Sequence, residues 1–279
     1  MEPVGGQAVM EGVMMRNKDK IVVATIKNNK IKTKKLEFNP VTKKHKWLTW
    51  PFLRGIVGLI EMLVLGIKAL VYSANEVENE PEEKLSSKEI FFTLLLAILF
   101  TIGVFIVLPY FLTGLISKDK GILFNIIDGI LRIVIFLVYI IIISSMKDIK
   151  RVFQYHGAEH KAVNCYEHKK KLTVENCSKF TTVHRRCGTT FLIIVMVVSI
   201  LVFSLIVSDK WYWRIGLRIL FMPVIAGISY ELLKLGARYE NSVTLNLLTY
   251  PGLLLQKLTT REPTKKQIKV AIKALKAVL

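Results

Sequence analysis

Polar and apolar positions divide the chain into blocks of different period. In residues 7–38 the period is short. "KIVVATIKNNKIKTKKLEF" holds two β-branched runs on either side of Asn28-Asn29, a pair that suits a tight hairpin turn. The preceding "GGQAVMEGVMMR" supplies a third strand, its paired glycines marking a bend or a close backbone approach. A small β unit is therefore predicted over residues 1–46.

Beyond it the pattern turns helical and strongly apolar. Residues 90–116 and 189–207 carry no charge and are long enough to cross about 30 Å of hydrocarbon. Each is followed, after a short polar turn, by a second apolar stretch, 121–146 and 211–233. The first of these opens with Asp128 and Arg132, an i,i+4 pair able to neutralise itself. The second opens with Arg214 and Arg218 and carries Pro223, placed to kink it. The run 47–72 differs, because Arg54, Glu61 and Lys68 recur every seven residues and stripe one helix face. Central charges cost about 2.5–3.5 kcal/mol each in a spanning helix. This run is expected to be an amphipathic, membrane-associated helix in which Glu61 pairs with Arg54 or Lys68, followed by an acidic linker to residue 88. The C-terminal "PTKKQIKVAIKALKAVL" starts a helix at Pro263 and sets Ile268, Ile272, Leu275 and Leu279 among lysines. Within a basic tail over 237–279, it is expected to lie on a lipid surface. The fold class is thus mainly α and polytopic: about four transmembrane helices in two helical hairpins, plus an amphipathic helix and a small N-terminal β unit.

Charge orients this arrangement. The chain has 40 Lys plus Arg against 21 Asp plus Glu, a net +19, with 52% hydrophobic residues. Such a charge on a soluble protein would suggest nucleic acid. Here no nucleic-acid motif accompanies it, and basic segments flank apolar runs. The implied partners are the lipid bilayer, its anionic head groups and other membrane proteins, with no nucleic acid. Leaving 47–72 out of the spans places 1–46, 147–188 and the C-terminus together in the cytosol, as the bias of Lys and Arg to that side requires. The N-terminus lacks an apolar h-region, so no cleaved leader is expected. Cys165, Cys177 and Cys187, the three cysteines, fall in one basic cytosolic segment and are expected to be thiols.

Candidate chemistry sits in that same segment. His156 and His160 are four apart, one turn on a helix, which is the spacing two imidazole ligands need. Glu159 between them gives H-x-x-E-H, the order in which a glutamate serves as general base. Glu167, seven residues on, returns to the same face as a third ligand. "TVHRRCGTTF" sets His184 and Cys187 at the start of the next apolar run, a pair suited to a borderline metal, or else an interfacial histidine and a small core filler. Glu231, near the end of the last apolar run, is either a site carboxylate or a salt-bridge partner of Lys234 or Arg238. Glu11, in "VMEGVMMR", either reaches the site from the β unit or pairs with Arg16. G-x-S-x-G, Walker-type, G-x-G-x-x-G and H-E-x-x-H motifs are absent from the sequence.

Together "GGQAVMEGVMMR", "PFLRG", "YHGAEHKAVNCYE", "HRRCGTTF" and "GISYEL" resemble the bacterial membrane family known as YqhQ over nearly the whole chain. The resemblance implies a bacterial plasma membrane and a metal-dependent enzyme, a label resting on these same histidines. The matching residues are Glu11, His156, Glu159, His160, Glu167, His184, Cys187 and Glu231. Two functions follow as expectations. One is a hydrolase or transferase at the cytosolic membrane face with a divalent metal, zinc, on His156 and His160, completed by Glu167, His184, Cys187 or Glu231. Glu159 is then the catalytic base, with Glu11 beside it. The other is a non-enzymatic scaffold or assembly factor in which the same side chains form a hydrogen-bond network fixing the helix ends.

Overall fold

The computed structural model describes residues 4–77, 86–118, 121–206, 208, 210–239 and 242–279. Most of the acidic linker (78–85) and turn residues 119–120, 207 and 209 of the two expected hairpins lie outside the described residues.

The β unit is a four-stranded antiparallel meander, β1 (Gly5–Val9), β2 (Gly12–Asn17), β3 (Lys20–Lys27) and β4 (Lys30–Lys35), in sequence order. Asn28 and Asn29 take φ of 51° and 60° and close the β3–β4 hairpin as expected. "GGQAVMEGVMMR" forms two strands rather than one, because Met10 and Glu11 make a turn with Glu11 at φ 50°. The sheet is covered on both faces, and this removes the alternation that marks a half-buried strand. Val13, Met15, Val22 and Ala24 enter one core; Val9, Met14, Ile21 and Val23 enter another.

The helices are α1 (Val41–Lys44), α2 (Leu53–Val77), α3 (Ser87–Ile102), α4 (Leu108–Ile116), α5 (Ile122–Ser145), α6 (Lys147–Glu167), α7 (Val174–Ser178), α8 (Gly188–Ser204), α9 (Trp211–Leu220), α10 (Met222–Arg238), α11 (Val243–Thr259) and α12 (Lys265–Val278). Gly103–Val107 between α3 and α4 is a π-helical stretch in one continuous rod. Among the described residues three helices are long and apolar enough to cross a membrane: Leu53–Val77, Ser87–Ile116 and Ile122–Ser145. There are four if α9 and α10, bent by 43°, count as one span. Pro223, in the first turn of α10, sits at that bend as the sequence predicts. At 17 residues α8 is short of the usual span, whereas α2 passes on length and apolarity despite its charges.

Those charges are spent on other helices. Arg54 makes a bidentate pair with Glu231 of α10 at 2.7 and 2.5 Å, and Glu61 accepts the Thr42 N–H at 3.3 Å, so the expected stripe pairing along α2 does not form. One flank of α2 (Leu65, Ala69) packs on the sheet, while Leu59, Ile60, Met62, Leu63 and Val64 stay exposed. Asp128 and Arg132 do pair, at 2.6 Å, and Arg218 of α9 joins them at 2.9 Å.

The C-terminal region departs furthest from expectation. Residues 243–259, predicted as basic tail, form α11 and pack along α8. The apolar face of α12 does not lie on lipid. Ile268, Ala271, Ile272 and Leu275 are buried against β2, β3 and α6, leaving the lysines outside. An amphipathic helix satisfies its apolar stripe equally well on a sheet, and the sheet's outward valines and methionines provide one. Leu275→Ala should therefore cost about 2–5 kcal/mol of stability, read as a fall in thermal midpoint of the detergent-purified protein. A helix resting on lipid would show almost no change.

Candidate metal centre

The helix carrying the motif is unusual in being polar and buried. Asp148 in the first turn favours the start of α6. A Schellman motif ends it, with Lys169 at φ 55°, its N–H on Tyr166 O, and the Lys170 N–H on Cys165 O. Between these ends Tyr155 and residues 157–165 are all buried. Their polar atoms are met by main chain. Asn164 donates to Thr181 O and Val183 O at 3.1 Å, and Lys161 to Ser178 O at 2.9 Å. The segment after α11 crosses the helix at Gly157, where an added Cβ would lie 2.2 Å from Arg261 O, so only glycine fits.

The two histidines are oriented in the same way. His156 Nδ1 lies 2.9 Å from Thr259 O at the end of α11, and His160 Nδ1 meets Thr182 O. A carbonyl only accepts, so both Nδ1 atoms carry the proton and both Nε2 atoms present lone pairs. The rings lie 4.4 Å apart. His156 Nε2 is 3.3 Å from Cys187 Sγ at the N-cap of α8, and the ligand atoms of His156, His160 and Cys187 all lie within 4.8 Å of one another.

Glu159 stands beside them, its Oε2 3.5 Å from His160 Nε2. Burial raises its carboxyl above the ordinary carboxylate range, against the pull of His156, His184 and the Gly6 N–H. Burial, and His156 beside it, push His160 down to about 2. The Glu159–His160 contact is therefore not an ion pair. It sets a carboxyl against a neutral ring nitrogen, which needs a proton or a cation between them. Cys187 is pushed up to about 11 by burial, partly offset by hydrogen bonds from Thr189, and meets His156 as a thiol.

The remaining predicted residues divide clearly. His184 and Glu167 pair at 3.1 Å, and Arg186 holds the other carboxylate oxygen. His184 lies 5.7 Å, ring to ring, from His160, so this pair flanks the cluster. Glu231 is engaged by Arg54 and the Phe52 N–H, with Lys234 contributing only through its charge. Glu11 is held by Arg151 and the Tyr155 hydroxyl, and not by Arg16, at the rim of a separate cleft of about 470 Å³. Sequence reasoning did not find Thr182, Thr259 or Gln256, whereas Gly6 belongs to the paired glycines read as a bend or close backbone approach. Gln256, fully buried, clamps the His184 main chain from both sides at 2.8 and 2.9 Å; a lone amide in "LLLQKL" was its one signal. Thr182 and Thr259 act through main-chain atoms, which leave no mark on side-chain pattern.

Gly6 of β1 lies directly over Glu159. A Cβ there would sit 2.7 Å from Glu159 Cγ and 2.7 Å from Met14 O, whereas one at Gly5 would meet nothing within 4 Å. Gly6→Ala should destabilise by about 1–3 kcal/mol and Gly5→Ala by less than about 0.5 kcal/mol, compared by thermal unfolding. Equal midpoints would remove Gly6 from its place over the carboxyl.

A family described as "Protein of unknown function (DUF1385)" matches residues 50–279. The uncharacterized protein YqhQ of Bacillus subtilis (strain 168) is 36% identical over 299 residues, an alignment covering 99% of this chain and 92% of that one. No solved structure matches. Identity of that extent places the chain in the YqhQ family.

Proposed function

We propose that the chain is a membrane-embedded, metal-dependent hydrolase whose centre lies at the cytosolic face of the bacterial plasma membrane. His156, His160 and Cys187 hold a divalent ion such as zinc, and Glu159 moves the proton. The observation that carries the reading is the pair of imidazoles whose Nδ1 protons are committed to main-chain carbonyls, so that both Nε2 atoms and a thiol converge within 4.8 Å. A carbonyl behind each imidazole is the usual support for a metal ligand. Two nitrogens and one sulfur suit zinc and leave a fourth position for water or substrate.

A zinc ion there supplies Lewis acidity to water and to a carbonyl or phosphoryl oxygen. The chain's own residues do the rest. Glu159, its carboxyl raised above the ordinary range by burial, takes the proton of the attacking water and returns it to the leaving group. Gly6 N–H steadies that carboxyl, and the His184–Glu167–Arg186 chain packs against His160. The membrane part rests on the apolar rods, above all Ser87–Ile116, whose apolar 18-residue stretch is only 6% buried against the rest of the chain. Exposed lysines of β4 and α12 support contact with anionic head groups.

Metal content of protein purified without a polyhistidine tag tests this reading. The unsubstituted protein and Glu159→Gln should hold close to one equivalent of zinc, while His160→Ala and Cys187→Ala should lose it. Binding should release about one proton, from the Cys187 thiol, so affinity should rise with pH. Less than about a tenth of an equivalent, with no thermal stabilisation by added zinc, would remove the hydrolase reading in favour of a scaffold whose histidines serve only the fold.

A further inference from the structure

We infer that the substrate is an extended polypeptide, bound by adding a strand to the open edge of β1 and so carried past Glu159. This rests on the hydrolytic reading above and names the class of molecule that centre acts on.

The sheet has two edges, β1 and β4, and they are built differently. β4 carries Lys30, Lys32, Lys34 and Lys35, all exposed, and charge of that kind blocks strand addition. β1, "GGQAV", has no charge, no proline and no bulge. One edge is guarded and the other is left receptive.

The hydrogen-bond phase shows which atoms the receptive edge offers. Ile26 N–H donates to Glu11 O at 2.9 Å, so Gly12, opposite Thr25, turns its own amide and carbonyl toward β1. Val9, Gln7 and Gly5 consequently pair with Gly12, Met14 and Arg16, while Gly6 and Ala8 direct N–H and C=O outward. The Gly6 N–H reaches the Glu159 carboxyl. Ala8, two residues and about 7 Å further along, offers an outward N–H and C=O to an incoming strand. With the Gly6 N–H taken by Glu159, the outward N–H and C=O of Ala8 are the donor and acceptor left for a partner, and such a main-chain pair complements another main chain, as in strand addition to a sheet edge. Proximity of that edge to the proposed base is what joins binding to chemistry. Water oxygen bonds to the peptide carbonyl carbon, the C–N bond breaks, and the water proton passes through Glu159 to the leaving nitrogen. No oxidant or reductant is consumed.

Two probes test the inference on zinc-loaded, full-length protein in nanodiscs: acetohydroxamate, which occupies only a metal, and an acetylated tetraalanine hydroxamate, which adds a main chain. The peptide probe should bind at least about tenfold tighter. Ala8→Pro, which removes the outward donor and is tolerated on an edge, should abolish that advantage while zinc content and acetohydroxamate affinity stay unchanged. Equal affinities for the unsubstituted protein, or an advantage that survives Ala8→Pro, overturns strand addition and leaves the hydrolytic reading standing. Absence of zinc and of acetohydroxamate binding overturns both. If Ala8→Pro does not fold, amide exchange on the unsubstituted protein decides. The peptide probe should slow exchange at Ala8 and acetohydroxamate should not; no slowing overturns the proposal.

Discussion

A helix with two histidines, a glutamate, a lysine and an asparagine within nine residues can be buried only if its polar atoms are met, since each unmet one costs about 1–3 kcal/mol. That constraint on α6 organises much of what surrounds it. The end of α7 and the irregular 179–183 segment are held by α6 side chains that take their carbonyls: Lys161 at Ser178, Asn164 at Thr181 and Val183, His160 at Thr182. Thr259 at the end of α11 is brought to His156, and the chain beyond it crosses α6 at Gly157 to start α12. β1 closes the opposite side, with a glycine where any side chain would strike Glu159.

What this shell leaves unmet is as telling as what it meets. The carbonyls use up both Nδ1 protons, so the Nε2 atoms face the Cys187 thiol and the Glu159 carboxyl, whose ionisation burial disfavours. The proposed divalent cation would displace the thiol proton. The centre also stands on well-supported elements: α6, the N-cap of α8 and the end of α11, with the sheet held to α2 on its far face. Bidentate pairs fix α2 to α10 through Arg54–Glu231 and the β1–β2 turn to α6 through Glu11–Arg151. Such anchoring keeps ligand geometry stiff, which favours chelation and catalysis alike.

Features written in local pattern were legible in the sequence. His156, Glu159 and His160 at helical spacing, the β3–β4 hairpin at Asn28-Asn29, the bend at Pro223 and the Asp128–Arg132 pair all depend on neighbours in sequence. Partner choice across the fold was not. Arg54 could pair along its own helix or with α10, and only the approach of Glu231 decides it. The lysine-striped α12 reads the same whether its apolar face meets lipid or a sheet, and the burial of the expected sheet on both faces depends on helices distant in sequence. Cys187 became central through His156, thirty-one residues earlier, a proximity no spacing rule contains. Glu231 and Glu11 tie elements together, through Arg54 and Arg151.

X-ray absorption at the zinc edge tests the central claim most directly, because it reads the donor set without a substrate. The account predicts one sulfur scatterer at about 2.3 Å and two to three nitrogen or oxygen scatterers at about 2.0 Å, with the sulfur lost in Cys187→Ser. A shell of nitrogen and oxygen alone in the unsubstituted protein would contradict a centre built from His156, His160 and Cys187.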